Sequence, residues 1–152
     1  IAECLVGSEM CIRDSAEGLA AGGKIFTIDR NEELLKIQNK YFEESGNRDR
    51  IVQLTGNAID ILDNLNQTFD LIFIDADKEN YVKYFQLVSE KLNPNGLIIS
   101  DNVLWSGKVV EGNNDDEETN TIKKFNRILN DDKKFETVIL PLRDGISISR
   151  LV

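Results

Sequence analysis

Short apolar runs recur along this 152-residue chain, and most of them end on an acid or an amide. Residues 24–29 read Lys-Ile-Phe-Thr-Ile-Asp and 51–55 read Ile-Val-Gln-Leu-Thr. Residues 69–75 read Phe-Asp-Leu-Ile-Phe-Ile-Asp, and 96–102 read Gly-Leu-Ile-Ile-Ser-Asp-Asn. An apolar run without alternation predicts a buried parallel strand with both faces covered. Between the runs the apolar positions take helical spacing. Leu34, Leu35, Ile37, Gln38, Tyr41 and Phe42 lie in a helix over 32–45, capped by Asn31 and stopped by Gly46. Ile59, Ile61, Leu62 and Leu65 follow the Gly56-Asn57 turn. Tyr81, Val82, Tyr84, Phe85, Val88 and Leu92 line a helix over 79–92, and Ile122, Phe125, Ile128 and Leu129 one over 119–130.

Residues 93–96, Asn-Pro-Asn-Gly, predict a turn. Residues 103–118 are expected as loop with an acidic tip at 115–118. The chain closes on 135–141, a turn at Asp144-Gly145, and 146–151, a spacing that predicts an antiparallel hairpin. The order β-α-β-α-β-α-β-α-β-β makes this one α/β domain. Its sheet is expected to be doubly wound and mostly parallel, with helices on both faces and a final antiparallel strand.

Composition narrows the chemistry. The chain is 41% apolar and 30% charged, has no apolar run of membrane-spanning length, and carries a formal charge of −9 with pI about 4.6. That balance disfavours an anionic membrane or nucleic acid as partner. With no histidine, imidazole catalysis and His-ligated zinc are excluded. No secretory signal stands at the start, so a cytoplasmic location is expected.

In a parallel sheet the carboxyl ends of the strands lie on one edge, where ligands bind. Asp75 and Asp101-Asn102 are expected on neighbouring strands there, gathering two carboxylates and an amide oxygen. Oxygen donors without thiolate or imidazole select a hard divalent cation, magnesium or calcium. Each of these residues alone is as well explained as a turn or helix cap. Asp29, also at a strand end, could accept ribose hydroxyls or simply cap the next helix.

Residues 69–81 together with Ser-Asp-Asn-Val-Leu-Trp-Ser-Gly at 100–107 resemble the cation-dependent O-methyltransferases, the caffeoyl-CoA and catechol O-methyltransferase group, in its bacterial form. The likeness runs from Ala16 to the end of the chain, through Ile28-Asp29, Gly56-Asn57-Ala58 and 140–145. The resemblance implies a Rossmann-like methyltransferase fold that uses S-adenosylmethionine and Mg2+ (or Ca2+ or Mn2+). On this chain it assigns Asp75, Asp101 and Asn102 to the metal. It assigns Asp29 to the cofactor's ribose, Ala58 to its adenine and Asp75 to its methionine part. Lys78 becomes the general base, its pKa depressed by nearby positive charge, and Tyr81 and Trp105 become aromatic contacts for the acceptor. The acceptor is a catechol-like or other vicinal-hydroxyl small molecule, with a tRNA hydroxyl not excluded. The resemblance also implies a homodimer for the full-length protein.

The beginning of the chain departs from that pattern. Residues 4–15, which hold both cysteines and the single methionine, show no helical or strand period and resemble translated sequencing-adapter sequence. Residues 1–15 are therefore expected to be non-native and 16–152 to be a partial methyltransferase domain. Its first strand, Gly-rich cofactor turn and N-terminal helices are expected to be missing, and cofactor binding to be weak or lost. Two other readings remain: a non-catalytic truncated domain that binds a cation or partner, and a phosphorelay receiver-like domain built around Asp75.

Overall fold

The computed structural model describes residues 2–3, 9–111 and 116–152. They form two compact units, Ile1–Asn64 and Leu65–Val152. The expected acidic tip falls partly outside the described residues, as does part of the stretch before Ala16 where the Gly-rich cofactor turn belongs.

In the first unit, β1 (Ala2–Glu3), β2 (Ile25–Asp29) and β3 (Ile51–Thr55) run parallel in the order β3-β2-β1. The first strand is thus reduced to two residues, with Ala2 paired to Thr27, rather than lacking altogether. A partner at that edge satisfies ladder groups of β2 that would otherwise be open. Helix α1 (Glu9–Glu17) stands where the sequence shows no helical period. The reason is tertiary: Ile12 and Ala16, four apart on one helix face, join Phe42 and Ile51 in a buried cluster. Helix α2 (Leu35–Glu44) follows a 3-10 turn at Glu32–Leu34, and Asn31 caps that turn as expected by accepting from the Glu33 amide at 3.0 Å. Helix α3 (Ala58–Asn64) closes the unit.

The second unit has the strand order β4-β5-β7-β6. Strands β4 (Phe69–Ile74) and β5 (Leu92–Asp101) are parallel; β7 (Ile146–Leu151) pairs antiparallel with β5 and with β6 (Phe135–Leu140). The C-terminal hairpin is as expected. Helices α4 (Tyr81–Ser89) and α5 (Glu117–Asp131) pack together beside the sheet. Phe85 touches Phe125 and Phe135 edge-on or tilted, at centroid distances of 5.9 and 5.2 Å.

Three expectations are corrected in this unit. Strand β4 is not covered on both faces: Ile72 and Ile74 are buried, whereas Leu71 on the other face is 50% exposed. Both runs of apolar residues look alike in sequence, but α4 and α5 cover one side only. The helix expected over 79–92 ends at Ser89, and Leu92 already pairs with Phe69. The 93–96 turn survives as a bulge inside β5, with Asn95 left-handed and pairing resuming at Leu71–Leu97. Helix α5 begins two residues early because Asp116 caps it, accepting from the Thr119 amide and hydroxyl at 2.8 and 2.7 Å.

Candidate functional site

The parallel register of β4 and β5 pairs Ile74 with Ser100. The next residues, Asp75 and Asp101, therefore leave adjacent strand ends together. Asn102 follows with φ 58°, a left-handed conformation that asparagine tolerates better than most residues. Its amide donates to Asp101 Oδ1 at 2.7 Å, which fixes that carboxylate against the turn. Among the described residues no three acidic or sulfur side chains converge into a metal cluster, so the candidate donor set is two carboxylates and one amide oxygen.

Lys78 stands in a 3-10 turn (Lys78–Asn80) between β4 and α4 and is 7% exposed. Its Nζ lies 3.5 Å from Asp75 Oδ1 and donates to the Tyr81 hydroxyl at 2.5 Å. Tyr81, wholly buried, donates in turn to the Asp101 backbone carbonyl at 3.0 Å. Its ring meets Phe125 edge-on at 5.3 Å. Tyr81, expected as an acceptor contact, instead has no surface to offer. It ties the lysine to the end of β5.

Burial pushes the Lys78 ammonium below its usual pKa, while the carboxylates of Asp75, Asp101 and Asp144 pull the other way. Burial also raises the Tyr81 phenol far above its usual range, with Asp75 adding to the effect, so it remains a neutral donor.

The neighbouring acid, Asp77, has a different task. Its carboxylate accepts from the Tyr84 hydroxyl at 2.6 Å and from the Asn80 side chain. It pins the start of α4, whereas Asp75 remains 28% exposed. The sequence reading gave Asp77 no role.

Trp105 opens a kinked 3-10 segment (Trp105–Val110) after β5. Lys78 and Lys108 each place Nζ 5.8 Å from the Trp105 ring centroid, so the indole lies between two ammonium groups. Its Nε1 is buried and has no hydrogen-bond partner among the described residues. Asp144 was missed in sequence. Only the Asp-Gly turn marked it, and nothing in the spacing shows that the turn meets the loop of Trp105.

In the first unit, Asp29 and the Gly56-Asn57-Ala58 turn are brought together. Asp29 pairs with Thr55, and the Gly56 amide donates to the Asp29 carbonyl at 2.9 Å. The Asp29 carboxylate accepts from the Asn31 amide at 2.9 Å and from Gln38 Nε2 at 3.0 Å. Gln38, read in sequence as a core-facing helix position, is 3% exposed and accepts from Gln53. Ala58 is buried at the first turn of α3.

Acid-tipped parallel strands with a buried lysine beside one of them define an α/β protein that gathers polar groups at strand carboxyl ends. The chain belongs to the O-methyltransferase family, whose model matches residues 9–152. It is 35% identical over 147 residues to a caffeoyl-CoA O-methyltransferase of Citrus natsudaidai, covering 86% of this chain and 61% of that protein. It is 32% identical over 131 residues to a catechol O-methyltransferase of Niastella koreensis, covering 84% and 59%. The SAH-bound crystal structure of the Podospora anserina methyltransferase PaMTH1 superposes with TM-score 0.76 at 27% identity, over 85% of this chain and 61% of that one. The chain therefore spans about three fifths of the curated relatives it matches. The resemblance seen in 69–81 and 100–107 is borne out, and with it the Rossmann-like methyltransferase fold. Among the described residues no helix is long and apolar enough to cross a membrane.

Proposed function

We propose that this chain carries the metal and base half of an S-adenosylmethionine-dependent, divalent-cation-dependent O-methyltransferase acting on a catechol-like small molecule. The observation that carries the reading is the register Ile74–Ser100, which sets Asp75 beside Asp101 and Asn102 with Lys78 Nζ 3.5 Å from Asp75. Two carboxylates and an amide oxygen suit a hard cation such as Mg2+, and the paired strand ends that carry them support the reading. A bound divalent cation would lower the pKa of a hydroxyl that it holds. S-adenosylmethionine would supply the methyl group from its sulfonium.

The chain's own residues do the rest. Asp75, Asp101 and Asn102 hold and orient. Lys78, kept partly dry and biased toward its neutral amine, takes the proton from the acceptor hydroxyl as the oxygen attacks. Tyr81 fixes where that amine sits. Trp105 walls the acceptor side, which suits a flat aromatic diol. Asp29, beside the Gly56-Asn57-Ala58 turn, is the residue for the cofactor's ribose, its carboxylate held in place by Asn31 and Gln38. On this reading the complete enzyme is a cytoplasmic homodimer.

The test is methyl transfer from labelled S-adenosylmethionine to a catechol, with Mg2+ and with chelator, in a version that restores the missing segment. Magnesium-dependent transfer that is lost in Lys78→Ala and Asp101→Ala is expected. Transfer undiminished by chelator would sink the cation role. The non-catalytic alternative predicts Mg2+ binding to the present chain but no transfer in the restored one.

A further inference from the structure

We infer that Asp144, in the β6–β7 turn, is a positioning residue that sets the acceptor-side loop and with it the placement of Trp105. Residues 102–107 take an unusual path: Asn102, Trp105, Ser106 and Gly107 all have positive φ, at 58°, 48°, 54° and 81°. For tryptophan and serine that conformation costs free energy, so something outside the segment must hold it. The hairpin turn does so at three points. The Val103 amide donates to the Gly145 carbonyl at 3.1 Å, and the Leu104 amide to the Asp144 carbonyl at 2.9 Å. The Ser106 amide donates to the Asp144 carboxylate.

The first two are backbone contacts that any residue at 144 could make. The third belongs to the side chain, and it grips the residue immediately after Trp105. Gly145 makes the close approach possible. At φ 84° it is left-handed, and a Cβ there would lie 2.4 Å from the Leu104 side chain. One turn residue thus holds the loop that carries the indole. On the methyltransferase reading, on which this consequence rests, Asp144 governs acceptor fit rather than the chemical step.

Trp105 is the only tryptophan of the chain, so its fluorescence reports the loop without any need for activity. The experiment compares the wild-type chain with Asp144→Ala and Asp144→Asn, using emission maximum and acrylamide quenching, with circular dichroism as the folding control. Asp144→Ala should red-shift the emission and raise quenching about twofold, as an indole in a loosened loop meets water. Asp144→Asn keeps an oxygen that can accept from Ser106 and should match the wild type. Where Asp144→Ala does not fold, Asp144→Glu, which displaces the carboxylate by one methylene, should give the same red shift.

Unchanged emission in Asp144→Ala overturns the inference, as does an Asn variant that shifts as far as the Ala variant. In the restored enzyme, Asp144→Ala should raise the acceptor KM about tenfold with kcat within about twofold, and a fall in kcat alone overturns it too. If the restored wild type transfers no methyl group, the methyltransferase reading fails, while the fluorescence comparison still decides the role of Asp144 in the loop.

Discussion

The Lys78 ammonium donates to the hydroxyl of Tyr81, and that hydroxyl spends its own proton on the carbonyl of Asp101. Because the phenol proton is committed to a backbone acceptor, only the oxygen lone pairs face the lysine. The lysine of one strand end is thereby fixed to the metal-candidate residue of the next. The pair sits under Phe125, out of water, so each bond lost leaves a buried group short of a partner.

Tyr81→Phe should therefore destabilise the chain by about 1–3 kcal/mol, since the Lys78 amine and the Asp101 carbonyl both lose a partner while the ring packing stays. Urea unfolding followed by circular dichroism measures it. A midpoint equal to that of the wild type would show that Lys78 finds another partner at no cost.

The same two residues predict the alkaline stability profile in metal-free buffer. Burial holds the folded Lys78 pKa below its ordinary value, so between the two the unfolded chain binds more protons and stability rises with pH. Burial raises the folded Tyr81 pKa above its ordinary value of about 10, so its contribution is complete below that pH and is lost as pH rises beyond it. Stability should climb toward pH 10 and then fall. Lys78→Met should flatten the rising limb and stabilise the chain near neutral pH by on the order of 1 kcal/mol, because a desolvated charge is removed. Tyr81→Phe should remove this residue's part of the falling limb. Denaturation midpoints across pH 7–11 test both, and a Lys78→Met variant that retains the full rise would contradict the assignment.

Arg50 closes the end of α1 in the first unit. Its guanidinium donates to the carbonyls of Ala16, Leu19, Ala20 and Gly23, at 3.1, 3.0, 2.7 and 3.4 Å. These are the orphan carbonyls of a helix end and the turn after it, where a cation is also favoured by the helix dipole. Arg50→Ala should cost roughly 2 kcal/mol or more. Arg50→Lys should not restore it, because an ammonium cannot span four acceptors in a fork. Hydrogen exchange in α1 would report the loosening, and unchanged protection in the Ala variant would refute the capping role.

Gly96 marks the bulge in β5. A Cβ there would stand 2.8 Å from the Asn93 carbonyl oxygen and 2.9 Å from the Leu92 side chain. Gly96→Ala should lower stability by about 1–3 kcal/mol through this crowding. Thermal unfolding gives the number, and an unchanged Tm would mean that the bulge reshapes without penalty.

The sequence by itself determined the order of strands and helices, the Asn31 cap, the closing hairpin and the strand ends Asp29, Asp75 and Asp101-Asn102. Those signals are local: side-chain period, turn chemistry and apolar runs are written residue by residue. The two long motifs also carried the family, since both lie whole within the chain. Helix α1 was not legible, because what holds it is burial of Ile12 and Ala16 against Phe42 and Ile51 rather than its own propensity. Nor was the half-open face of β4, which depends on where α4 and α5 pack. Only tertiary structure gave Asp77 its partners on α4, withdrew Tyr81 from the acceptor and set it on Lys78, and brought Asp144 to the loop of Trp105. Each of those facts depends on which distant groups share a buried volume, and no spacing along a single chain encodes that.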